Sequence, residues 1–93
     1  MRIVGDIPHP SLKITVFKNG SRFSVKFEDG PVEQTYKFDD GQGIESLPDA
    51  KRQIDAALLQ KIEKGIEEMK IARLMTLKRN ALETESDEFE EII

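Results

Sequence analysis

The sequence predicts an α+β domain: a three- or four-stranded antiparallel β-meander followed by one long C-terminal α-helix packed on one sheet face (ββββα), with an acidic tail. Three observations predict it. Apolar and polar residues alternate between Leu12 and Phe38, the period of a half-buried strand. Asn19-Gly20 and Asp29-Gly30 interrupt that alternation at hairpin spacing. From Ser46 onward the apolar period becomes helical, through Ile54, Leu58, Ile62, Ile66 and Met69.

Ninety-three residues make one domain, expected to span residues 1–82, with strands within 2–38 and the helix at about 47–80. A chain this short buries only about 60–65% of the surface its unfolded form exposes, so its core is thin. The chain contains no cysteine, which excludes disulfides, thiolate metal sites and cysteine nucleophiles. A small domain without such staples often gains stability from a partner subunit. No long apolar run opens the sequence, so neither a signal peptide nor a membrane span is expected, and a soluble cytoplasmic protein is the default.

The net charge of −4 is unevenly spread. Residues 1–40 hold six basic and six acidic side chains, 41–82 hold eight and six, and 83–93 hold none and six. The folded part is therefore near neutral, and the acidity sits at the end.

Residues 2–7 fit a first strand at the sheet edge. Pro8 and Pro10 remove backbone donors from the next segment, which reads as a turn. His9 between them is the only histidine and is expected to be an exposed turn residue. In the first hairpin, a type I′ turn at Asn19-Gly20 sets Lys18 opposite Ser21, Val16 opposite Phe23, Ile14 opposite Val25 and Leu12 opposite Phe27. The second, at Asp29-Gly30, sets Glu28 opposite Pro31, Phe27 opposite Val32 and Phe23 opposite Tyr36. Pro31 would open the last strand, where its missing N–H is tolerable. Both turns specify one apolar face, on which Gln34 is the exception.

Asp39-Asp40-Gly41-Gln42-Gly43 reads as a flexible connection. A metal site there would recruit Asp39, Asp40 and Glu45, but the ligand spacing of a calcium loop is absent. A phosphate cradle is disfavoured by the neighbouring aspartates and by the lack of a Gly-Lys-Ser/Thr motif. No metal or cofactor is expected.

Ser46 can cap the helix, Pro48 suits its first turn, and Asp49 meets the positive end of the dipole. With Ile54 as reference, the apolar residues up to Met69 span roughly 120° of one face. Gly65 lies within that stripe, where close approach of the backbone to the sheet explains it better than a hinge does. The predicted core is Leu12, Ile14, Val16, Phe23, Val25, Phe27, Val32, Tyr36, Phe38, Ile54, Leu58, Ile62, Ile66 and Met69.

Beyond Met69 the stripe moves to the opposite side, where Ile71, Leu74, Met75, Ala81 and Leu82 cluster. Strands of about seven residues span roughly 23 Å. A helix over 47–80 spans about 51 Å. The surplus must fold back or leave the domain, and an exposed apolar strip on it needs a partner. The tail, 83–93, is expected to be disordered, with Phe89, Ile92 and Ile93 as apolar anchors.

The sequence contains no catalytic constellation, and a non-enzymatic protein is expected. The function it supports best is an interaction module that self-associates, most simply as a homodimer, or binds a protein partner. The candidate residues are Ile71, Leu74, Met75 and Leu82. The alternative is a small nucleic-acid binder that uses the solvent face of the sheet. There Lys13, Arg22, Lys26 and Lys37 would meet phosphates and Phe17 would stack a base.

Overall fold

The computed structural model describes residues 1–92, and the side-chain surroundings of 1–82. The elements run β1 (Arg2–Ile7), β2 (Lys13–Asn19), β3 (Arg22–Asp29), β4 (Val32–Phe38), α1 (Leu47–Gln53) and α2 (Ala56–Ile92). The four strands form one antiparallel sheet in the order β1-β2-β3-β4, so the expected meander is present with its fourth strand. Over 83–92, where the sequence leads one to expect disorder, the backbone continues α2 to Ile92, while the side chains of 83–92, the anchors Phe89 and Ile92 included, and all of Ile93 lie outside the described residues.

Both hairpin turns are centred one residue later than expected. Asn19 pairs with Arg22 and Asp29 with Val32, leaving Gly20-Ser21 and Gly30-Pro31 as the two-residue loops. Gly20 and Gly30 have φ of 63° and 59°, and among the described residues no non-glycine residue has positive φ. A type I′ turn at Asn19-Gly20 or Asp29-Gly30 needs two positive-φ residues. A glycine alone at the first central position is the pattern of a type II′ turn, and the ring of Pro31 suits the negative φ of the second. The pairing therefore moves by two: Val16 meets Val25, Ile14 meets Phe27, and Val25 meets Tyr36. Side chains alternate with period two, so this shift leaves every residue on its expected face.

The apolar face carries the core. Leu12, Ile14, Val16, Phe23, Val25, Phe27 and Val32 are buried there, joined by Ile54, Ile62 and Ile66 from the helical side. Phe38, Leu58 and Met69 are partly buried against them. Tyr36 departs from expectation at 38% exposed. It lies on the edge strand, with the edge of the sheet open on one side. Its ring still meets that of Phe27 edge-on, with centroids 5.9 Å apart. Ile44 and Ala50, which the apolar pattern does not single out, are also fully buried.

The helical region is two helices. Ser46 caps α1, its side chain accepting from the Asp49 amide. Ile54 then leaves helical geometry, with φ −86° and ψ 82°. Asp55 restarts the helix, its carboxylate accepting from the Leu58 amide at 2.9 Å, as an N-cap does. The break lets the two helices cover different ends of the sheet. Leu47 of α1 packs against Gly5 on β1, where a β-carbon would come within 2.7 Å of it. A bulge between Ile3 and Gly5 accompanies this contact. The second helix lies against β4.

Gly65 makes the close approach its position implies, but to Gln34. A β-carbon on Gly65 would lie 2.4 Å from the Gln34 amide nitrogen, and that amide donates to the sulfur of Met69 at 3.6 Å. The polar exception on the apolar face thus sits beneath the helix glycine. Gly65→Ala is expected to be nearly neutral. The gain of about 1 kcal/mol in helix propensity is offset by displacement of a flexible amide. Gly65→Leu should cost roughly 1–3 kcal/mol by overpacking. Urea denaturation of the two variants checks the pair; equal stabilities would contradict the close approach.

Candidate interaction surface

The core contacts of α2 come from Leu58, Leu59, Ile62, Ile66 and Met69. Lys70 then ties the helix to the tip of the second hairpin, its ammonium 2.7 Å from the Asp29 carboxylate. Past that point the helix continues without a break. At 1.5 Å per residue, 37 residues extend about 55 Å, and the molecule measures 63 × 27 × 19 Å. Every residue from 71 to 82 is exposed.

The four predicted strip residues all lie on this free segment: Ile71 is 51% exposed, Leu74 60%, Met75 58% and Leu82 63%. Ile71, Leu74, Met75 and the stem of Lys78 line one shallow groove. Leu77 is also exposed. The sequence reading missed it because it falls between the two apolar stripes, at roughly 140° by helical count. Fold-back of a short second helix is excluded for this segment, because α2 runs unbroken from Ala56 to Ile92.

The sheet's solvent face is less basic than its composition suggests. Arg22 donates to Asp39 at 2.8 Å. Lys26 reaches both Glu28 (3.4 Å) and Glu33 (3.3 Å). Its hydrogen bond to Glu33, above all, raises its pKa from the ordinary value. This lysine separates two glutamates that the pairing sets directly opposite each other. The same ammonium stands 6.0 Å from the centre of the Phe17 ring, and Phe17 is only partly exposed. Lys13 and Lys37 are exposed. Of the five residues assigned to a nucleic-acid face, two cations are thus held by carboxylates, and the aromatic is part-covered by one of them.

His9 is not the exposed turn residue expected. Its side chain is only 9% exposed. Nδ1 accepts from the amides of Ser11 and Leu12 at 3.1 and 3.0 Å. The ring proton therefore sits on Nε2, which lies 2.9 Å from the Glu63 carboxylate on α2. The ring caps the loop entering β2 and ties it to the helix. The sequence offers no local sign of this, because Glu63 lies 54 positions away. His9→Ala is expected to cost about 1–3 kcal/mol through the two amides left without an acceptor. A shift in the urea midpoint checks it, and an unchanged midpoint would contradict the capping role.

Asp39 and Asp40 lie in the turn before α1, where Asp39 also accepts from Arg22 and its amide donates to the Gln42 side chain. Among the described residues no group of three or more potential metal ligands is gathered, and no helix is long and apolar enough to cross a membrane. Comparisons with protein-family models, curated proteins and solved structures find no match.

Proposed function

We propose that this chain is a small non-enzymatic interaction module, in which the α+β body holds out the second half of α2 as a docking surface. The observation that supports it is the placement of Ile71, Leu74, Met75 and Leu82, each more than half exposed, on a continuous helix that runs out past the tip of the second hairpin. Water-exposed apolar strips of this kind mark protein contacts. The lone histidine is occupied in structural bonds, which leaves it no free ring nitrogen for acid–base chemistry in this arrangement.

The test is Leu74→Asp in the full chain, read by light scattering and by capture of a bound protein. Loss of self-association, or of the captured partner, with the circular dichroism of the fold retained is the expected result. A wild-type protein that stays monomeric at high concentration and captures nothing would overturn the reading.

A further inference from the structure

We infer that the occupant of the strip is a second copy of this chain, and that the two α2 helices pair antiparallel about a two-fold axis at the level of Arg73. The inference rests on the docking role just proposed and adds the partner and its register.

The residues on the face of α2 turned away from the sheet are Lys61, Lys64, Glu68, Ile71, Met75, Lys78 and Leu82. They alternate three and four apart, the spacing of a coiled-coil seam. All seven are exposed. The seam is about 32 Å long, three heptads. Its partner would lie on the side opposite the sheet, so the two sheets stay on the outside of the pair.

Charge decides the direction. The first half of α2 is mixed, with Lys61 and Lys64 among Glu63, Glu67 and Glu68. The second half carries the basic Lys70, Arg73, Lys78 and Arg79, and residues 83–93 add six acidic and no basic residues; within the seam itself the charges are Lys61, Lys64, Glu68 and Lys78. A parallel pair sets each charge beside its own kind, including the two acidic ends. Like charges in register cost stability and select against that partner orientation. An antiparallel pair with its axis at Arg73 sets Glu68 opposite Lys78 and Ile71 opposite Met75, twice each. Lys64 then faces Leu82, over which its aliphatic stem can lie. Leu74 flanks the seam beside the axis, close to its own copy. Neither Glu68 nor Lys78 makes an ion pair among the described residues, so both charges are open to a partner.

The test uses charge reversal in the full chain, followed by sedimentation over a range of concentrations. Glu68→Lys and Lys78→Glu should each weaken the dimer on the order of tenfold, because two attractive pairs become repulsive. The double variant should recover the wild-type association, a rescue that only an antiparallel arrangement provides. The chain has no cysteine, so a second readout is direct. Glu68→Cys and Lys78→Cys proteins, mixed and oxidised, should form the mixed disulfide in preference to either like pair.

Like-with-like disulfides without charge rescue would overturn the register and leave the docking surface standing. A monomer at every concentration that still captures a different protein through Leu74 would overturn the second copy as occupant. A dimer indifferent to Leu74→Asp would overturn the docking surface itself.

Discussion

Leu74→Asp is expected to dissociate the assembly by at least about a hundredfold in Kd while leaving the domain folded. Leu74 is 60% exposed, lining a shallow groove with Pro31 of the second hairpin turn, so its replacement should change monomer stability by no more than about 0.5 kcal/mol. In an assembly the same side chain becomes buried. Each buried leucine contributes roughly 1.5–3 kcal/mol, and a two-fold pair loses two of them. The introduced carboxylates also face each other near the axis. A loss of about 3 kcal/mol already exceeds a hundredfold in affinity. Light scattering gives the mass, and circular dichroism with a urea melt reports the fold. Lost stability at constant mass would mean that the strip packs within its own domain, against the continuous helix described here.

The largest effect on stability is expected at Phe27. Its side chain is fully buried at the centre of the sheet, paired with Ile14 on one side and Gln34 on the other. Phe27→Ala should cost about 3–5 kcal/mol, from lost transfer energy and the cavity left behind. A domain of this size has only about 5–15 kcal/mol in total, so the variant should lie near its unfolding transition. Tyr36→Ala removes the partner of the Phe27 ring from an exposed edge position and should cost distinctly less. Phe23→Ala, also buried, belongs with Phe27. Urea denaturation of the three variants orders them. A loss under about 1 kcal/mol for Phe27 or Phe23 would contradict the facing of the sheet.

Sequence alone determined the features set by local periodicity. Alternation assigned Ile14, Val16, Val25 and Phe27 to one face, and a pairing shift of two residues could not change that, because strand geometry repeats every two residues. The cap at Ser46 was legible because it is a local side-chain-to-amide bond, and the buried stripe from Leu58 to Met69, the close approach at Gly65 and the opposed strip from Ile71 to Leu82 because each depends on the angular step of one helix. Leu77 escaped because it lies between two stripes.

Tertiary structure decided whatever depends on what stands opposite a residue. Asn19-Gly20 permits a type I′ turn, yet the sheet places the turn one residue later, where glycine alone takes positive φ. Arg22 and Lys26 read as free cations until Asp39, Glu28 and Glu33 are placed beside them. His9 reads as a loop residue until Glu63 arrives from α2. The break at Ile54-Asp55 belongs here as well. Helical spacing runs straight through it, but in the fold α1 meets Gly5 on β1 and α2 meets Gln34 on β4, at opposite edges of the sheet. The local breaker is the pair Ile54-Asp55, where Ile54 leaves helical geometry and Asp55 caps the next helix. The direction of α2 after that break carried Ile71 to Leu82 clear of the sheet and left them facing water.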